Sequence, residues 1–286
     1  MEVVLVIGGA GFIGSHLIES LLASGRSVVS LDNYLSGSVE NHIIGCEYFE
    51  GTAKSISDVL SSCSKQFDTV FYLGEYSRVE TSFDDIDVVF ENNHGSLYEV
   101  LKFCRDNSCK LVYSGSSTKF GDGGLAGNSS PYAWTKRINT ELVLAFAEWF
   151  SLDFAITYFY NAYGGREISE GRFSTVVAKF IDLKRQGASS LPVVSPGSQE
   201  RNFTHVDDIT SALILVGESG NGDGYGIGSD EAITILQLVS YLQCEARMIP
   251  ERVGNRMKSD LITHKTLELG WRPKWTLKSY IESLNL

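Results

Sequence analysis

A chain of 286 residues with 43% hydrophobic residues can bury a sizeable core, and its length suits a main domain with a smaller appended lobe. Asp and Glu outnumber Lys and Arg by 35 to 24, giving a formal net charge of -11 that repels phosphate polymers and argues against nucleic acid as a partner. The five cysteines are odd in number and show no metal-ligand spacing, so they read as free thiols of a reducing compartment, and no metal is expected.

Val3–Ile7 is a short apolar run with no basic flank, which reads as a strand and not a signal peptide. No later stretch is long and apolar enough to span a bilayer, so a cytoplasmic protein without membrane contact is expected. Further strands are predicted at Ser27–Leu31, Thr69–Leu73, Lys110–Ser114 and Phe154–Tyr158. Helices are predicted between them near Ile13–Ala23, Ser55–Ser62, Val88–Arg105 and Ala133–Phe150. Strands that are apolar throughout and alternate with helices imply a doubly wound α/β fold, a parallel sheet covered on both faces. After Tyr163 glycines and prolines cut the chain into shorter pieces, with helices near Ser174–Arg185, Asp207–Val216, Ile235–Leu242 and Leu277–Leu284. The expected division is a Rossmann domain over 1–164, with 203–228 returning to it, and a substrate-binding lobe from 165–202 and 229–286.

The first strand runs into Gly8-Gly9-Ala10-Gly11-Phe12-Ile13-Gly14 at the head of a helix. Glycines at 8, 11 and 14 permit the tight turn, the approach of a pyrophosphate to the backbone and close helix–strand contact. The helix amino terminus offers free N–H groups to phosphate. The second strand ends in Asp32-Asn33, and a carboxylate there accepts hydrogen bonds from both adenosine ribose hydroxyls while repelling a 2′-phosphate. A dinucleotide site follows, for NAD in preference to NADP.

Ser129-Ser130-Pro131-Tyr132 opens a helix with a serine cap and a proline in the first turn, which places Tyr132 and Lys136 one turn apart. Taken alone, such a pair is as consistent with a structural role. Beside a dinucleotide it suits alcohol oxidation, because a nearby ammonium stabilises the phenolate of a tyrosine whose ordinary pKa is about 10. The strand Leu111–Tyr113 ends in Ser114-Gly115-Ser116-Ser117-Thr118, and Ser116 is the hydroxyl best placed to hold a substrate oxygen and relay its proton.

Together these segments resemble an extended short-chain dehydrogenase/reductase of the nucleotide-sugar epimerase and dehydratase family, of the UDP-glucose 4-epimerase type. The resemblance runs along almost the whole chain. It implies cofactor contacts from Phe12 and Ile13 in the glycine loop, from Leu73 and Gly74 after the fourth strand, and from Asn92, the asparagine that braces the site. In Phe159-Tyr160-Asn161-Ala162-Tyr163-Gly164 it implies that Tyr160 lines the nicotinamide and Asn161 the sugar. Arg201 and Arg252 are the arginines implied for the nucleotide diphosphate, and Ser259 a border of the sugar pocket.

Several positions depart from the pattern. Thr52 stands where an acid usually contacts adenine, Tyr158 where arginine or an aliphatic residue is common, and Glu75 where a small residue is usual. The loop between Gly121 and Tyr132 is trimmed. Dehydratases of this kind carry an acid pair after the first hydroxyl of the strand end, and here those positions are Ser117 and Thr118. Epimerisation of a nucleotide-diphosphate sugar at C4 is therefore the expected activity, on a UDP-sugar ahead of a GDP-sugar. A 4,6-dehydratase using Glu75 or Asp122, a keto-sugar reductase and a catalytically silent NAD-binding sensor are the alternatives. The helices Val88–Arg105 and Ala133–Phe150 carry apolar residues on more than one side, among them Val89, Leu97, Leu101, Leu142, Phe146 and Trp149, which suits a homodimer as well as burial under the sheet.

Overall fold

Short β-branched segments joined by amphipathic helices give the sheet its form. A computed structural model describes residues 2–120, 127–251, 257 and 260–286. Its seven-stranded sheet comprises β1 (Val3–Ile7), β2 (Ser27–Asp32), β3 (Glu47–Glu50), β4 (Thr69–Tyr72), β5 (Lys110–Ser116), β6 (Phe154–Phe159) and β7 (Gly222–Ile227). The order is β7-β6-β5-β4-β1-β2-β3, and each neighbouring pair is parallel. This is a Rossmann-like, doubly wound sheet.

Successive side chains of a strand point to opposite faces, and the two faces bury different helices. Leu5, Ile7, Val70, Leu111 and Ile156 pack against α2 (Ser96–Asn107) and α3 (Pro131–Phe150). Val4, Val6, Phe71, Val112 and Ala155 pack against α1 (Phe12–Ala23) and α5 (Val206–Ser219), with α4 (Val176–Arg185) lying between α3 and α5 in the chain. A third cluster gathers Val177, Phe180 and Ile181 of α4 with Leu238 and Val239 of α6 (Ile235–Tyr241) and with Leu277 and Ile281 beyond. Around it lie three two-stranded ladders that the sequence pattern did not announce. Ala162–Tyr163 pairs with Thr204–His205, Ser190–Val194 with Glu245–Ile249, and Glu200–Asn202 with Ala232–Thr234.

The helix expected over Val88–Arg105 is interrupted. A short turn at Ile86–Val89 leads into a wider π-wound segment, Phe90–Gly95, before α2 begins. Two asparagines in that segment spend side-chain bonds on backbone: Asn92 Nδ2 donates to Val88 O at 2.9 Å and Asn93 Oδ1 accepts from Tyr76 N at 2.7 Å. The Asn92 bond to a helix carbonyl competes with the helical ladder, which favours a bulge. Tyr158, another departure noted in the sequence, is turned from the cavity side into an ion-pair cluster, where its OH donates to Asp223 at 2.6 Å and accepts from Lys119 Nζ at 3.0 Å.

Of the apolar residues named on the two long helices, Val89, Leu97, Leu101 and Phe146 are buried in the core, whereas Trp149 is 66% exposed. All five cysteines are free, with Cys104 and Cys109 buried. Among the described residues no helix is long and apolar enough to cross a membrane, and no group of His, Cys, Asp and Glu could hold a metal ion.

Glycine is required where β1 turns into α1. Gly8 has φ +87°, and a Cβ there would stand 2.7 Å from the backbone of Gly74 at the end of β4. A Cβ on Gly14 would stand 2.1 Å from Gly8 O. Gly14→Ala is therefore expected to push α1 off the strand and lower stability by about 1–3 kcal/mol, read from the denaturant midpoint. An unchanged midpoint contradicts the close packing.

Candidate active site

The strand order reverses between β1 and β4, and ligands of such sheets bind in the crevice at the carboxyl ends there. A cavity of about 400 Å³ occupies that place. One end is lined by Asp32, Asn33, Leu35 and Ser36, the middle by Gly8, Gly11–Gly14, Leu73 and Gly74, and the far end by Ser114–Ser116, Tyr132, Lys136, Asn161 and Phe203.

The middle suits phosphate. Gly11 is the N-cap of α1 and offers no side-chain cap, so the first-turn N–H groups of the helix are left for another acceptor. Asp32 marks the first end. It is buried, its Oδ2 accepts from Ala10 N and its Oδ1 from Tyr34 N, both at 2.8 Å. Burial pushes its pKa up from the ordinary carboxylate value, against the pull of those two amides. Each carboxylate oxygen retains a lone pair, so a vicinal diol can still be received. Asn33 is held by Asn92, whose Oδ1 accepts from Asn33 Nδ2 at 2.8 Å. A buried acid, an uncapped helix start and a set of hydroxyls, in that order along one cavity, fit a dinucleotide.

The far end carries the chemistry. Ser130 Oγ caps α3 by accepting from Ala133 N at 3.1 Å, with Pro131 in the first turn. This start sets Tyr132 on the cavity side, where its OH donates to Ser116 Oγ at 3.1 Å. Ser116 stands at the end of β5, which outruns β4 and pairs with Phe159 of β6. Its Oγ also accepts from Thr118 Oγ1 at 2.9 Å. One turn along α3, buried Lys136 donates to Ser114 O at 2.7 Å and forms an ion pair with Glu75 at 2.5 Å. Ser116, Tyr132 and Lys136 thus meet beside the glycine loop.

Other expected residues lie elsewhere. Tyr160 is 1% exposed, and its OH donates to Asp260 O at 2.8 Å and accepts from Ile262 N at 3.0 Å. The alternation along the strand instead brings Phe159 and Asn161 to the cavity. Asn161 takes φ +34°, an uncommon conformation that asparagine tolerates better than most residues. Arg201 is not part of the cavity lining, and its Nη1 donates to Glu200 O at 2.8 Å. Asn92 touches the acid end through Asn33, while bracing falls to Asn93, which is buried and donates to Thr135 Oγ1 at 3.0 Å. Arg252, Asp122 and Ser259 lie outside the described residues. Thr52 Oγ1 pairs with Ser55 Oγ at 3.1 Å.

One lining group, Arg78, and a buried acid behind it, Glu167, went unnoticed in the sequence. Arg78 reaches the cavity wall with Nε donating to Phe173 O at 3.1 Å and Nη1 to Ser77 O at 3.1 Å. Its site depends on a loop 95 residues away, which no local pattern signals. Glu167 braces the same wall by accepting from Gly164 N at 2.8 Å and from Thr175 Oγ1. Burial pushes its carboxyl up to about 7.

Comparison with known proteins supplies the family and the fold. The NAD dependent epimerase/dehydratase family matches residues 4–228. The UDP-N-acetyl-alpha-D-glucosaminuronate decarboxylase of Bacillus cytotoxicus is 29% identical over 254 residues, covering 82% of this chain and 77% of its own. The UDP-glucose 4-epimerase of Thermotoga maritima, solved with UDP-glucose, superposes with a TM-score of 0.91 at 26% identity, over 98% of this chain and 96% of the other. The Thermus thermophilus UDP-glucose 4-epimerase, solved with NAD, gives a TM-score of 0.88 at 27% identity, over 98% and 96%.

Truncating the acid end separates a dinucleotide site from an accidental crevice. Asp32→Ala is expected to weaken NAD binding about 10- to 100-fold by calorimetry, the loss of charged hydrogen bonds. An affinity within about twofold of the parent removes Asp32 from the site.

Proposed function

The chain belongs to the NAD-dependent epimerase/dehydratase family, and within that family of NAD-dependent nucleotide-sugar enzymes we propose that it is a C4 epimerase. The observation that carries this reading is the Tyr132–Ser116 contact of 3.1 Å beside Lys136, with no acid at the strand end. The position where elimination chemistry needs a titrating group holds Thr118, which hydrogen-bonds Ser116. Glu75 is committed to Lys136.

The substrate is a nucleotide-diphosphate sugar, a UDP-sugar ahead of a GDP-sugar, with its C4 hydroxyl between Ser116 and Tyr132. NAD, when bound, supplies the reversible hydride acceptor. Tyr132, as phenolate, takes the hydroxyl proton while the C4–O bond becomes a carbonyl. Ser116 holds that oxygen and passes the proton. Lys136 supports the phenolate electrostatically, and its remaining N–H would be the one available to hold the nicotinamide ribose when NAD is bound. The 4-keto sugar then turns over in the site, and Tyr132 returns the proton as hydride arrives on the opposite face. Electrons balance without an outside oxidant. Arg252 is the residue proposed to grip the diphosphate, and Asn161 borders the sugar.

A specific observation favours a uronate as the sugar. Arg78 faces the cavity, and among the described residues no carboxylate lies within ion-pair distance of it. Glu167, the carboxyl that acts on it through space, is pushed up to about 7 by burial and so compensates it only in part at neutral pH. A sugar carboxylate would complete that charge. Such a 4-keto uronate is a β-keto acid, so loss of carbon dioxide is the competing outcome.

Purified protein incubated with UDP- and GDP-sugars, UDP-glucuronate included, without added cofactor is expected to yield a new stereoisomer by NMR of the anomeric protons. A 4-keto-6-deoxy sugar or released carbon dioxide as main product overturns the epimerase reading. Tyr132→Phe is expected to cut turnover at least about 100-fold while NAD affinity stays within about threefold. Arg78→Met is expected to raise KM for UDP-glucuronate about 10- to 100-fold, with a much smaller change for UDP-glucose. Equal changes for both would sink the uronate assignment.

A further inference from the structure

The mechanism above leaves one buried charge of the cavity wall without a task. Glu75 follows β4, at the position where the family resemblance leads to a small residue. Its side chain is 1% exposed, and Oε2 lies 2.5 Å from Nζ of Lys136, itself 6% exposed. Tyr113 OH donates to the carboxylate at 3.0 and 3.2 Å and Asn139 Nδ2 at 3.0 Å. His94 in turn holds Asn139, its Nδ1 2.8 Å from Oδ1. The Tyr113 ring lies 5.4 Å from the ammonium. The three partners of the carboxylate come from two elements, Tyr113 from β5 and Lys136 and Asn139 from α3.

A buried ion pair is poor value for stability alone, since desolvation of two charges offsets most of their attraction. A small apolar residue at 75 would avoid that cost. The pair does two other things. It and Ser114 O fix two of the three ammonium donors, leaving the third with a single direction. It also sets a negative charge beside the positive one that supports the Tyr132 phenolate, reducing that support.

We propose that Glu75 is a positioning residue, which fixes the Lys136 ammonium and balances its charge, and so sets the pH range in which Tyr132 exchanges its proton. This rests on the reading of Tyr132 as the acid–base group. The charged and titratable groups facing the trio come from every wall. Tyr72 and Tyr113 stand on β4 and β5, Tyr76 and Arg78 follow β4, and His94 stands on the π-wound segment. Glu167 and Asp85 lie behind Arg78 and Tyr76. Tyr72 and Tyr113 are held well above the ordinary tyrosine value by burial and by Glu75, so they stay neutral throughout the working range. Burial likewise pushes Glu75 up, against the pull of Lys136.

The sign of the effect follows from charge. Removing the carboxylate's negative charge favours an anion at Tyr132, so the proton leaves at lower pH. In Glu75→Gln, the acid limb of kcat against pH is therefore expected to move down by roughly one unit. The tyrosinate absorbance of the NAD-loaded protein that disappears with Tyr132→Phe should titrate with the same displacement. A residue that merely filled space would lower kcat and leave the limb in place. A limb within about 0.3 unit of the parent, or one moved upward, overturns the proposal. If Glu75→Gln does not fold, Tyr113→Phe carries the test. It strips one donor from the carboxylate, strengthens its hold on the ammonium's proton, and should move the limb upward; no movement overturns the proposal. Full turnover in Tyr132→Phe would instead sink the functional reading beneath it.

Discussion

The reversal of strand order at β1 is the constraint from which the rest follows. Because β2 lies on one side of β1 and β4 on the other, their following segments leave in opposite directions and open a crevice between them. The crevice is narrow at its base, where Gly8 meets the backbone of Gly74 with no room for a Cβ. Above that contact the start of α1 points its uncapped N–H groups into the gap. Asp32 closes one side from the end of β2, and Ser116 closes the other from the end of β5. Binding site and reactive site are two ends of one topological feature.

Charge is arranged unevenly along that feature. The acid end has a single carboxylate satisfied by backbone amides. The reactive end has a cation, Lys136, whose charge is balanced by Glu75, and a second cation, Arg78, which backbone carbonyls orient without neutralising. One cation is thus paired within the chain, and the other is the one proposed to meet a charge brought by the ligand. The Lys136–Glu75 pair is buried, so its effect is larger than it would be at the surface.

Sequence patterns made most of the first half legible because most elements there carry a local cause, β3 and the break at Phe90–Gly95 excepted. The Ile7–Gly14 turn needs glycine, Ser130 and Pro131 announce a helix start, and Tyr132 and Lys136 follow from its period. Strands β1, β2, β4, β5 and β6 are likewise apolar runs that need no partner to be recognised. Local causes fail where the answer lies across the fold. Tyr160 was assigned to the cofactor, but the pleat turns it toward Asp260, and Phe159 takes the wall. Asn92 and Asn93 are equivalent in sequence, and only contact with Tyr76 and Thr135 distinguishes the brace. The ladders after Tyr163 are two to five residues long and pair across loops, so no periodicity marks them. Glu75 was visible as an oddity, yet its partners Tyr113, Lys136 and Asn139 come from two other elements.

The central claim is that a proton leaves through Tyr132 while hydride leaves and returns at the same sugar carbon. Deuterium at C4 of UDP-glucose or UDP-glucuronate follows that hydride directly. In unlabelled water and without added cofactor, the account predicts an epimer that keeps its deuterium at C4. Loss of the label to solvent, with epimerisation proceeding at the same rate, would contradict it.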